Sequence, residues 1–183
     1  MPAYVLFLVI WSTIVYDFIA YWVWAPNGWL KDYGVLDFAG GTPVHITSGF
    51  SALAYALAVG PRRTVDFKKD KPTNIADVFL GMTFLWFGWF GFNGGSALAI
   101  NSRAVNAIIV SNLAASTGAL TWIFTEMLVK RTKKMSLNGC CCGAVSGLVT
   151  ITPASGFIYP GYALVFGFLG NLNSFLTYMR TQK

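Results

Sequence analysis

Asp17, Asp37, His45 and Glu126 stand in stretches of sequence that are otherwise apolar. An ionisable group in hydrocarbon is costly, so each is a functional candidate by default. His45 is the only histidine. If its surroundings are helical, 100° per residue puts Asp37, Gly41, His45 and Ser48 or Gly49 along one face. Phe38, Val44, Ile46, Phe50 and Leu53 largely occupy the others. A glycine one turn from an imidazole leaves space beside the ring. Two readings stay open: a lumen, or a histidine hydrogen-bonded to an adjacent helix with glycines for close packing.

Asp37 stands where this helix should begin. Its carboxylate can accept a backbone N–H from Ala39 or Gly40, favoured by the positive end of the helix dipole. Direct cation coordination is the sharper alternative. Pro43 lies inside the segment and should distort it locally. Asp77 and Glu126 lie near apolar-segment ends, beside basic residues, and read as interfacial or paired charges.

A second constellation runs through Trp86, Trp89, Phe90, Phe92, Asn93 and Ser96. Trp89, Phe92/Asn93 and Ser96 recur every three or four residues and share a helix face. Such a stripe packs a core or faces lipid in most proteins. It also suits a cation: a ring face can stabilise a desolvated cation by roughly 2 kcal/mol, and a serine hydroxyl can accept a hydrogen bond.

The elements carrying these residues are long apolar helices. The chain has 183 residues, of which 55% are hydrophobic and 11% charged, with a mean hydropathy of +0.57. Soluble domains carry about 25% charged residues. A spanning helix needs about 20 mostly apolar residues. Six segments qualify, near 4–24, 38–60, 76–98, 104–128, 138–152 and 157–179. Thr152-Pro153-Ala154-Ser155-Gly156 reads as the turn between the last two. The fold class is therefore all-α, a polytopic transmembrane bundle.

The basic residues fall between the apolar segments. Arg62, Arg63, Lys68, Lys69 and Lys71 lie in loop 61–75, Lys130, Arg131, Lys133 and Lys134 in loop 129–137, and Arg180 and Lys183 at the end. The alternate loops, 25–37, 99–103 and 153–156, hold only Lys31 and Arg103. The positive-inside rule assigns the basic set, and hence the N-terminus, to the cytoplasm. The net charge of +6 is thus explained without a nucleic-acid partner.

Apolar sequence starts almost at Met1, without a basic leader or a small-residue cleavage pattern. That favours a chain truncated at its start over a cleavable signal peptide. Cys140, Cys141 and Cys142 are consecutive, which rules out a disulfide framework. They read as small packing residues, with palmitoylation as the alternative. Gly139, Gly143 and Gly147 follow a small-xxx-small rhythm suited to helix packing. No Ser/His/Asp set, zinc pattern or TVGYG-like filter is present, so the residues favour neither an enzyme, a cofactor site nor a potassium-type channel.

The run Asp37-Phe38-Ala39-Gly40-Gly41-Thr42-Pro43-Val44-His45-Ile46 closely resembles the signature of the ammonium transporter family (Amt/Mep/Rh). Trp89-Phe90-Gly91-Phe92-Asn93-Gly94-Gly95-Ser96 does so too, and Val23-Trp24-Ala25-Pro26-Asn27-Gly28-Trp29 resembles its fungal Mep branch. The resemblance covers essentially the whole chain. It implies an eleven-helix fold of two inverted halves, trimers with a pore in each subunit, and a chain holding helices four to nine in one partial domain, 1–183. By the same resemblance, Trp24 and Ser96 form an external ammonium site supported by Asp37. Phe92 would be one of two gating phenylalanines, and His45 the first of two stacked pore histidines. Helices three and ten, which carry the other gate phenylalanine and the second histidine, fall outside this stretch. The expected function is ammonium transport across the plasma membrane, conducting ammonia through a hydrophobic lumen. The alternatives are an ammonium sensor or an inactive truncated fragment.

Overall fold

The computed structural model describes residues 2–60 and 74–181. Most of loop 61–75, with its five basic residues, lies outside the described residues, as does Lys183. The regular elements of the described residues are all helical, with no strand among them. The chain divides into two compact units, Met1–Lys71 and Pro72–Lys183.

The first unit begins with α1 (Pro2–Trp11), a π-helical turn (Ser12–Tyr16) and α2 (Asp17–Trp24), which together make one continuous apolar rod. A short α3 (Trp29–Asp32) follows. The next rod opens as a π-helical turn over Gly41–Ile46 and continues as α4 (Thr47–Val59). Trp11 Nε1 donates to Ser51 Oγ at 2.8 Å, and the rings of Phe7 and Tyr55 lie 5.8 Å apart. As Phe7 meets Tyr55 and Trp11 meets Ser51, the two rods run antiparallel.

The second unit holds α5 (Ile75–Gly95), α6 (Ser102–Val129), α7 (Leu137–Ile151), a 3₁₀ turn (Thr152–Ala154) and α8 (Pro160–Thr181). The starts of α5, α6 and α7 are capped by Asn74, Asn101 and Ser136, whose side chains accept backbone N–H groups of the first turn. The expected turn at 152–156 is the 3₁₀ segment that ends α7.

The glycine rhythm forms the α6–α7 interface. A Cβ at Gly143 would lie 2.7 Å from Trp122 Cβ and 3.0 Å from Ala119 Cα, and one at Gly147 would lie 3.1 Å from Ala115 Cα. Close backbone approach without side chains is how small residues join spanning helices. Polar cross-links add to it: Ser146 bonds Ser174 at 2.7 Å across α7 and α8, and the Asn171 amide donates to the Gly118 carbonyl across α8 and α6. Cys141 is buried and Cys142 exposed, so the cysteine run straddles the edge of this packing.

Four helices among the described residues are long and apolar enough to cross a membrane: Pro2–Asp32, Ile75–Gly95, Ser102–Val129 and Leu137–Ala154. The rods at Gly41–Val59 and Pro160–Thr181 do not reach that standard. The first spends its opening on a π turn containing Thr42, Pro43 and His45. The second is diluted by Gly161, Gly167, Gly170, Asn171, Asn173 and Ser174.

Candidate functional site

Asp37 organises the first unit. It precedes the helix, is 93% removed from solvent by the residues around it, and caps the π turn with both carboxylate oxygens. Oδ1 accepts the N–H groups of Gly40 and Gly41, each at 2.8 Å, and Oδ2 accepts that of Thr42 at 2.6 Å. The expected cap is present but uses three amides, and Ala39 is not among them. Gly40 turns the chain into this cap at φ 106°, a left-handed conformation that L side chains rarely adopt. Its α-carbon faces Trp24: a Cβ there would lie 3.2 Å from the indole.

Trp24, the last residue of α2, is held by the same loop. Its Nε1–H donates to the Asp37 backbone carbonyl at 2.9 Å. Lys31 Nζ donates to the Trp24 carbonyl at 3.0 Å, which ties the end of α2 to α3. Gly28 packs directly on the carbonyls of Tyr21 and Trp22. One acidic residue thus starts the second rod with its side chain and pins the indole with its main chain.

His45 sits within the π turn Gly41–Ile46, half-buried. Its N–H and that of Val44 both point to the Gly40 carbonyl, at 3.1 and 3.0 Å. Thr47 closes the turn, donating its hydroxyl to the Thr42 carbonyl at 2.9 Å. The single-face alignment of Asp37, Gly41, His45 and Ser48 is therefore corrected. Asp37 lies outside the helix, and the wide turn changes the angle per residue across 41–46. Bonds that reach back five residues, from the His45 N–H to the Gly40 carbonyl and from the Thr47 hydroxyl to the Thr42 carbonyl, hold the turn wide. π turns of this kind recur at functional sites. An open groove of about 380 Å³ flanks the same turn on the Thr42, Ile46 and Phe50 side, and His45 does not line it. At Gly49 a Cβ would meet no atom within 4 Å.

In the second unit, Trp89, Phe92 and Ser96 gather at the end of α5. Phe92 and Trp89 rings lie 5.7 Å apart at 50°. Ser96 follows the helix directly, and its hydroxyl donates to the Phe92 carbonyl at 2.8 Å. With its proton engaged, that oxygen keeps lone pairs for a donor. Trp89 Nε1 donates to Thr152 Oγ1 at 2.9 Å. The structure thus brings Trp24 together with Asp37, and Trp89 with Phe92 and Ser96.

Sequence reasoning missed a buried polar layer behind that stripe. Asn93, Ser111, Thr152 and Ser155 are each 0% exposed. Asn93 Nδ2 donates to Ser111 Oγ at 2.7 Å, and the Ser111 hydroxyl donates in turn to the Ala107 carbonyl at 2.6 Å. Asn93 next to Phe92 was the visible signal; its partner eighteen residues on in another helix was not. At the opposite end of α6, Glu126 pairs with Lys130 one turn later, at 2.5 Å. The pairing expected for Glu126 is thus found. Hydrogen bonding to that carboxylate holds the Lys130 ammonium above its ordinary range. No group of three His, Cys, Asp or Glu side chains able to hold a metal occurs among the described residues.

Comparison with known proteins agrees with this architecture. The family profile described as Ammonium Transporter Family matches residues 1–183. Ammonium transporter 1 of Schizosaccharomyces pombe is 52% identical over 164 residues, which are 90% of this chain and 33% of that protein. The crystal structure of Saccharomyces cerevisiae Mep2 superposes with a TM-score of 0.85 at 45% identity, over 91% of this chain and 38% of that one. A structure titled Sensor Amt Protein superposes with a TM-score of 0.81 at 31% identity, over 90% and 43%. The chain spans about a third of the length of the curated fungal relative it matches. A family match over the whole chain, joined to this helical architecture, makes the chain a member of the ammonium transporter family.

Proposed function

We propose that the chain serves ammonium transport across the plasma membrane, recruiting ammonium at an outer aromatic site and passing ammonia through a hydrophobic lumen. Trp24 supplies a ring face and Ser96 an acceptor oxygen for the ion. Asp37 supports the site. Phe92, as a gate, and Trp89 belong to the pore, and His45 lines the lumen.

The physics selects ammonium over other cations. A bare cation in an apolar lumen is prohibitively costly. Ammonium alone among the common monovalent ions can give up a proton and cross as a neutral molecule. An imidazole can take that proton or hold a hydrogen bond to the amine. Inverted-repeat transporters build their path where two halves meet, often at broken helices. The family's trimeric assembly and the cytoplasmic placement of loops 61–75 and 129–137 belong to the same reading.

The observation that supports it best is the saturation of Asp37. Its carboxylate already accepts three backbone N–H groups, and its carbonyl accepts the Trp24 indole. A carboxylate so engaged suits a scaffold for the aromatic site better than a direct ion ligand. Direct coordination would also bind the ion too firmly to release a proton.

A second reading, an ammonium sensor, uses the same outer residues without conduction. It is favoured by the resemblance to the structure titled Sensor Amt Protein. Both readings are tested with His45→Ala in the complete coding sequence, expressed in cells without their own ammonium transporters. Uptake should fall strongly. Undiminished ammonium currents would overturn the histidine's role, and lost uptake with preserved ammonium-dependent signalling would favour the sensor.

A further inference from the structure

We propose that Asn93 is a positioning residue for the ammonium path, setting the rotation of α5 through Ser111 so that Phe92 and Ser96 are presented together. The proposal rests on the reading that Phe92 and Ser96 face the ion.

At 100° per residue, Phe92, Ser96, Trp89 and Asn93 spread in that order over about a quarter of the circumference of α5. Phe92 is the open edge, 39% exposed, and Asn93 the closed edge, 0% exposed. The closed side is cross-linked twice. Asn93 Nδ2 bonds Ser111 Oγ of α6 at 2.7 Å, and Trp89 Nε1 bonds Thr152 Oγ1 beyond α7 at 2.9 Å. Each acceptor is itself fixed, since Ser111 donates to the Ala107 carbonyl and Thr152 to the Leu148 carbonyl at 2.7 Å. Both hydroxyls therefore have only an acceptor direction left, and it points to α5. One residue beyond Asn93, Gly94 is buried and leaves no room for a side chain, with Ile108 of α6 2.8 Å from where a Cβ would be. Turning α5 would break two hydrogen bonds and drive its backbone into Ile108.

Asn93 is a poor choice for stability alone. Its Oδ1 is buried with no hydrogen-bond partner among the described residues. Burying an unsatisfied carbonyl is unfavourable, and an apolar side chain of similar shape would fill the space without that penalty. What leucine lacks is direction. A hydrogen bond fixes the angle of one helix on another, whereas apolar contact between spans tolerates sliding. The Ser96 hydroxyl is bonded to the Phe92 carbonyl, so any turn of α5 moves ring and hydroxyl as one.

The test uses Ser111→Ala and Asn93→Leu in the complete coding sequence, in cells without their own ammonium transporters. Uptake is measured against ammonium concentration, with surface protein quantified. Each variant should raise the KM for ammonium about tenfold, as expected for loss of a buried hydrogen bond. Surface abundance should change little. The double variant should be no worse than Asn93→Leu, because both act through one bond. Ser111→Ala removes a single oxygen, so it keeps the test readable if Asn93→Leu fails to reach the surface. An unchanged KM in Ser111→Ala, or a fall in abundance alone, overturns the proposal. Ser96→Ala, measured beside them, separates the failures. If it too leaves KM unchanged, the recruitment reading falls and the proposal with it.

Discussion

The indole Nε1–H of Trp24 donates to the backbone carbonyl of Asp37 at 2.9 Å, while the Asp37 carboxylate accepts three amides of the following turn. One residue therefore joins the end of one rod to the start of the next. Trp24→Phe keeps a ring but removes the donor. The expected outcome is a higher KM for ammonium with modest loss of stability, about 1 kcal/mol. The concentration dependence of uptake, compared with Trp24→Ala, separates the ring from its hydrogen bond. Equal KM in wild type and Trp24→Phe would show that the tether is dispensable.

Asp37→Ala leaves three amides of Gly40, Gly41 and Thr42 without an acceptor in a nearly buried place. Loss on the order of 3 kcal/mol is expected. Asp37→Asn should cost about half as much, since its remaining carbonyl oxygen can serve Gly40 and Gly41 as Oδ1 does. Thermal unfolding in detergent reads both. The order wild type, Asn, Ala is the prediction, and an alanine as stable as asparagine would contradict it.

Glycine substitutions should divide by location. Gly147→Ala pushes a methyl group into the Ala114 carbonyl and against Ala115, so a cost of roughly 1–3 kcal/mol is expected. Gly49→Ala places its methyl group in open space and improves helix propensity, by up to about 1 kcal/mol. Melting temperatures should fall for the first and hold or rise for the second.

The Lys130–Glu126 pair sets a pH dependence of definite sign. Lys130 is raised above its ordinary 10.5 chiefly by the hydrogen bond to Glu126. A cation with a raised value contributes stability that is fully present below 10.5 and is lost as pH climbs through the raised value. The lysine side chain is 47% exposed, so solvent screens much of the effect. Wild type should therefore exceed Lys130→Met by a small, constant margin from pH 6 to 9, and the margin should close in stronger alkali. A margin that grows with pH would reverse the assignment.

Much of this architecture can be read from sequence because a membrane imposes long apolar runs, and length survives ignorance of contacts. The six expected segments correspond to the six helical rods, with edges shifted by a few residues. The glycines of α7 announced their interface through spacing alone, since only small residues every fourth position allow two helices to touch along a stripe. Asp37 announced a cap because a carboxylate ahead of a helix has few better partners than free amides.

Other features depended on tertiary structure. Counting at 100° per residue assumed a regular helix from Asp37 onward. The chain instead forms a π turn around Pro43, a choice stabilised by Thr47 and by the Gly40 carbonyl serving two donors. Asn93 looked like one more polar residue on an aromatic stripe; only the packing of α5 on α6 brings it to Ser111. The sequence by itself determined where the helical rods fall, because hydrophobic length is a local property. Tertiary structure decided the partners of Asp37, Trp24, Trp89 and Asn93, because a hydrogen bond between distant positions depends on how helices turn against each other, and no local pattern encodes that angle.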